Sequence, residues 1–193
     1  MKFTQIPTTA MEEMQLNAGV LLSSFTPSTA EVSGIIGATT GGIKFSATPT
    51  YSDFGEDIDN CPKNMMELKR QDSVEVKISG TFVTVTTAVA KKLMAAADIG
   101  TSDQTKITPR NDLKTEDFAD LWWVGDYSDK NGATNGGFVA IHVMNALNTG
   151  GFQLQSGDKS KGQFAFEFTG HYSIENQDVV PYEVYIKAGT AEG

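Results

Sequence analysis

The chain has 193 residues, which sets one domain as the expectation and allows a hydrophobic core without disulfide or metal staples. Lys and Arg number 15 against 24 Asp and Glu, and the net charge of −9 argues against a surface that grips nucleic-acid phosphates. No apolar run reaches the roughly 18 residues of a membrane span, the first residues lack the apolar stretch of a secretory signal, and the single Cys61 leaves no internal disulfide framework.

Residues 1–34 read as an arm. Pro, Thr, Ser and Gly punctuate it around an apolar segment with Met11, Met14, Leu16, Val20 and Leu21, which could be helical or extended. That apolar content implies docking, on the chain's own domain or on a neighbouring subunit. A domain over 35–193 follows. Its first strand is expected over 43–50, where Ile43, Phe45 and Ala47 alternate with Lys44, Ser46 and Thr48. A long aperiodic loop then covers 51–72, the kind of connection that tends to serve function.

Residues 73–86 show the clearest strand pattern, with Val74, Val76 and Ile78 opposing Glu75, Lys77 and Ser79. Gly80 interrupts it with a change of apolar phase, which suggests a bulge or bend. A helix is expected over 87–98. Thr87 would cap it, Val89, Leu93, Ala96 and Ala97 would form its apolar stripe, and Gly100 would stop it. A loop follows over 100–115, then a strand over 118–127 and a turn over 126–132. Strands over 138–146, from 152, over 163–174 and over 182–186 complete the chain. Short turns and a single helix argue a mainly β (α+β) fold, an antiparallel β-sandwich or barrel with one flanking α-helix.

No catalytic or metal-binding motif emerges. His142 and His171 lack any metal-ligand spacing, and Cys61 has no adjacent base. Gly37 and Gly42 have phosphate-loop spacing, but Ile43 stands where Lys is needed and a strand follows instead of a helix. The carboxylates Asp53, Glu56, Asp57 and Asp59 miss the calcium-loop spacing, as does the Asp129–Gly132 stretch. Trp122 and Trp123 are adjacent, so in a strand they point to opposite faces, and one of them is expected outside the core as a subunit contact.

One piece of sequence is more specific. Gly37-Ala38-Thr39-Thr40-Gly41-Gly42-Ile43-Lys44-Phe45 precedes a long loop and the strand Val74-Glu75-Val76-Lys77-Ile78-Ser79-Gly80-Thr81-Phe82, then an Ala-rich helix and a run of strands. This layout, over roughly residues 30–190, resembles the tail tube (major tail) proteins of long non-contractile-tailed bacteriophages and related prophages. The resemblance implies a structural virion protein, without enzymatic activity or cofactor. Six copies would form a ring, and stacked rings the tail tube, a channel for genome DNA delivery. Its partners would be other copies of itself, a tape-measure protein and the tail terminator and distal tail proteins. Double-stranded DNA would pass without specific binding, no membrane would be engaged, and the protein would reside in the virion tail after assembly in the host cytoplasm.

The resemblance also distributes roles. The 51–72 loop would stack on the next ring through Asp53, Glu56, Asp57, Asp59, Lys63, Lys69 and Arg70. Gly80 would let one long strand serve two sheets. Glu75, Lys77, Ser79 and Thr81 are candidates for the lumen, with Glu167 and Thr169 behind them. An acidic lumen is expected, because a wall that releases DNA must deny it the counterion-release gain of binding. Two alternatives remain: a tube subunit of a contractile tail or type VI secretion-like injection system, and a carbohydrate-binding β-sandwich module. The second requires Trp122 or Trp123 exposed in a groove.

Overall fold

The computed structural model describes residues 5–127 and 136–190. The fold is mainly β with one α-helix, and every pairing between its strands is antiparallel. Strand β1 (Gln15–Thr26) turns back onto β2 (Glu31–Ile35), and β3 (Thr39–Asp53) forms a long hairpin with β4 (Lys69–Phe82). Helix α1 (Thr87–Met94) and the small pair β5 (Ala97–Ile99) and β6 (Ile107–Pro109) lead to β7 (Ala119–Tyr127), β8 (Gly137–Asn148), β9 (Phe164–Gly170) and β10 (Tyr182–Lys187).

Two sheets face one another. The first runs β2-β1-β7-β8 with β10 on the far side of β8; the second runs β9-β4-β3. Strand β8 belongs to both. Its Phe138–Val143 stretch pairs with β10, whereas Leu147 and Asn148 pair with Thr169 and Phe168 of β9. The strand turns at Asn145, whose φ of 48° is a left-handed value that Asn tolerates better than most residues. The Asp120 carboxylate accepts the Asn145 backbone N–H at 3.1 Å, and the Asn145 side-chain amide donates to the His171 carbonyl at 3.0 Å.

Gly80 is therefore not the residue that lets a strand change sheets. It stays paired to Ile43 on one side and Phe166 on the other, and a Cβ there would lie 2.8 Å from the Phe166 ring. The irregularity sits across from it on β3. Gly41 and Gly42, with φ of 76° and 83°, bulge between the paired Thr40 and Ile43.

The arm reading is corrected from Gln15 onward. β1 lies inside the first sheet, between β2 and β7, and its Leu21 and Leu22 have no exposure at all. They point to opposite faces. Leu21 joins the main core with Val76, Ile78, Phe82, Leu93, Val143 and others; Leu22 joins a second cluster with Phe25, Trp122, Phe138 and Ala140. The loop expected over 51–72 is shorter at both ends, because pairing continues to Asp53 opposite Lys69. Phe152 and Leu154 do not open a strand; only a bridge between Gln155 and Gln163 forms there. Most of the expected turn over 126–132 lies outside the described residues.

The helix is shorter than 87–98. Thr86, not Thr87, caps it, accepting the Val89 N–H at 3.2 Å. Ala95 ends it with φ of 59°, and Ala97 already belongs to β5, so Gly100 plays no part in the stop. Val89 and Leu93 pack on the main core as the stripe requires.

Asn148, 3% exposed, ties this end of the helix to the sheet. Its side-chain amide donates to the Leu93 carbonyl at 2.6 Å and the Gly151 carbonyl at 3.0 Å, and its oxygen accepts the Glu167 N–H at 2.9 Å. Asn148→Ala takes this partner from the buried Leu93 carbonyl and the partly buried Glu167 N–H. It is expected to lower the unfolding free energy by about 1–3 kcal/mol, measured by urea titration.

Candidate functional site

The β3–β4 hairpin carries most of the residues singled out in the sequence. Its two faces differ by simple alternation. Val74, Val76 and Ile78 point into the core, and Glu75, Lys77, Ser79 and Thr81 point out. Their cross-strand partners extend the outward face: Lys44, Ser46 and Thr48 on β3, and Ala165, Glu167 and Thr169 on β9. The four lumen candidates thus lie on one continuous polar wall across three strands. Lys77 sits between Glu75 at 2.9 Å and Glu167 at 3.7 Å. The Glu75 hydrogen bond and both carboxylate charges hold its ammonium above the usual lysine range. Two lysines, Lys44 and Lys77, match Glu75 and Glu167, so this wall is neutral and not acidic.

The hairpin ends in a loop folded on itself. The Asp53 carboxylate accepts the N–H groups of Gly55 at 2.9 Å and Asn64 at 2.8 Å. Those bonds, Asn64's foremost, hold its pKa below the ordinary aspartate range. The Phe54 N–H donates to the Leu68 carbonyl, and the chain turns again at Cys61 onto Ile58. Glu56, Asp57, Asp59 and Lys63 are exposed on the loop, with Lys63 at 4.0 Å from Glu56. Lys69 and Arg70 lie at its base, where Lys69 stands 5.1 Å over the Tyr51 ring. The seven predicted residues therefore occupy one end of one hairpin, but Asp53 is engaged in shaping the loop.

The charged reading missed the apolar half of this tip. Phe54 is 58% exposed, Ile58 51% and Met66 81%, with Met65 and Tyr51 also open to solvent. The signal was present as large apolar residues inside an aperiodic acidic stretch, where no core face could claim them.

Neither tryptophan is an exposed anchor. Trp122 is buried, its ring stacked 4.0 Å from His142 and packed near Phe25. Trp123 is half-buried against the main core and donates its indole N–H to the Ala18 carbonyl at 3.0 Å. Adjacent on β7, the two rings turn to opposite faces of the first sheet, Trp123 to the main core and Trp122 to the cluster around Leu22, Phe25 and Phe138. Neither ring stands open to solvent, as the carbohydrate-binding alternative requires of one of them.

No protein-family model matches the chain, and no curated protein matches it.

Elsewhere, the His171 ring sits 3.1 Å from the Asn145 carbonyl and edge-on to Phe118. Cys61 contacts Met65 at 3.3 Å. Among the described residues, no group of three or more His, Cys, Asp or Glu is placed to hold a metal ion, and no helix is long and apolar enough to cross a membrane. One concave feature among the described residues is an open cleft between the edges of β3 and β10, lined by Ala47, Val74, Val180, Tyr182 and Val184 among others.

Proposed function

We propose that the chain is a structural subunit that assembles into hexameric rings, stacked into the tail tube of a long non-contractile-tailed phage. Its product is a channel for genome DNA, located in the virion tail, and its work is assembly without chemistry. The observation that carries this reading is the β3–β4 hairpin. With β9 alongside, it supplies a polar, charge-balanced wall along its length and an exposed apolar tip at its end. A wall of Ser, Thr and paired Lys–Glu offers a passing duplex no excess of cations, so few counterions are released on contact. Repulsion of DNA then rests on the −9 charge of the whole chain and not on an acidic lumen face. The tip exposes large apolar side chains of the kind that gain most from burial against a neighbour. Tape-measure, terminator and distal tail proteins are the further partners this role requires.

The test is microscopy of the purified chain at rising concentration, with sedimentation in parallel. Six-fold rings or tubes of phage-tail width are the expected result. A monomer that persists at the highest soluble concentration overturns the reading.

A further inference from the structure

The face of the first sheet turned away from the main core holds a polar cluster. His142 of β8 lies flat on Trp122 of β7, with the ring planes 6° apart, and its side chain is only 13% exposed. Asp120 of β7 lies 3.1 Å from Nε2, and Glu183 of β10 lies 3.3 Å from Nδ1. Both carboxylates are held in place. Asp120 accepts the Asn145 N–H at 3.1 Å, and Glu183 accepts the Tyr185 hydroxyl at 2.6 Å. Leu22, Phe25, Phe138 and Ala140 form the apolar cluster beside the polar one, and by strand register Asp126 of β7 and Tyr185 and Lys187 of β10 share the face, with the Lys187 ammonium 6.0 Å over the Phe138 ring.

A neutral imidazole has one N–H and one lone pair, so with a carboxylate at each nitrogen one of them always faces a lone pair. An imidazolium presents a donor to each. Nε2 is buried without a well-aligned hydrogen bond, so its contact with Asp120 is ionic and gains only when the ring is charged. A charged ring also suits the face of Trp122.

We propose that Asp120, His142 and Glu183 form a proton-operated clasp joining β7 and β8 to the edge strand β10, closed when the ring carries both protons and both carboxylates are ionised. The strand it controls has a partner on one side only, and its Val184 and Ile186 are exposed. The limits follow from the groups themselves. The Tyr185 hydrogen bond, then the His142 hydrogen bond and charge, hold Glu183 below the usual glutamate range. Its contribution is therefore present above the unfolded glutamate pKa and is lost only as the pH falls through the lower folded value. The inference stands on this cluster and does not depend on the tube reading.

Hydrogen exchange of the full chain, corrected for the intrinsic pH dependence of amide exchange, tests it. Between about pH 6 and pH 8 the protection of the β10 amides is expected to fall about fivefold, the scale of a partly exposed ion pair, while β4 amides stay unchanged. His142→Gln is expected to abolish this pH dependence. Glu183→Gln removes the β10 charge without disturbing the ring stack, and is expected to flatten the profile as well, so the test survives if the histidine variant folds poorly. Equal β10 protection at both pH values in the wild type, or a wild-type profile in Glu183→Gln, overturns the clasp.

Discussion

Replacing Phe54 and Ile58 together by Asp is expected to raise the concentration needed for ring or tube formation by about thirtyfold or more, the scale of losing one interface hot spot. Both side chains stand on the hairpin tip at more than half exposure, so the monomer gives up little buried area when they change. Its unfolding free energy is expected to stay within about 0.5 kcal/mol of wild type, as for surface substitutions away from special features. The tip already carries Glu56, Asp57 and Asp59, so two further carboxylates also add repulsion to any apposed copy. Sedimentation read beside a denaturant titration separates assembly from folding. Assembly of the double variant at the wild-type concentration removes the tip from the interface, and with it the main support for the proposed role.

Arg110→Met is expected to cost about 3–5 kcal/mol of unfolding free energy in a urea titration, the price of leaving a buried charge uncompensated. The Asp117 side chain has no exposure and Arg110 only 15%. One guanidinium nitrogen donates to both Asp117 oxygens at 2.7 and 3.0 Å, another to the Asp112 carbonyl at 2.7 Å, and Nε lies 2.8 Å from Asp98. The Lys114 N–H donates to the same Asp117 carboxylate at 2.9 Å. The network pins β6 and the 3-10 turn Thr115–Asp117 just ahead of β7.

The sign of its pH dependence follows. Burial alone would raise the Asp117 pKa, but the Lys114 N–H and the Arg110 guanidinium outweigh it and hold the carboxyl below the ordinary range. In the wild type this stabilisation is present above the unfolded aspartate pKa of about 3.9 and is lost as the pH falls through the folded value. In Arg110→Met the burial penalty is opposed only by the Lys114 backbone bond and the Lys91 charge, so protonating Asp117 costs the variant less than the wild type. The difference between the two proteins is expected to be largest near neutrality and to shrink in acid. A difference that holds constant from about pH 7 to pH 3 contradicts this account.

The parts of the fold legible in the sequence are those with one buried face. β4 shows it best: Val74, Val76 and Ile78 went inside and Glu75, Lys77 and Ser79 outside, as the alternation required. β9 follows the same rule, with Phe166 and Phe168 in the core. β1 was hidden because it is buried on two faces, so Val20, Leu21 and Leu22 run together without alternation. Asn17 and Gly19, both at positive φ, broke its pattern further. The helix end was missed because Ala95 takes a left-handed conformation that its residue type does not announce. The crossing of β8 had a local signal, a polar Asn145 inside an apolar run, but its meaning depends on Asp120 and His171, which arrive from other elements. For the candidate site, the charges of the tip were readable and its apolar residues were visible but unassigned. The clasp around His142 was not readable, because its members come from three strands.

Because β8 takes part in both sheets, neither sheet can be completed without it. The pairing of β1 with β7 closes a loop of about a hundred residues, so the first strand made is among the last to find its full set of neighbours. Folding and unfolding should then occur in one concerted step, slowly in both directions for a chain of this size, with no half that survives alone. Until that step is taken, the apolar run of β1 is an open strand in the cell, exposed to the wrong neighbours as well as the right one.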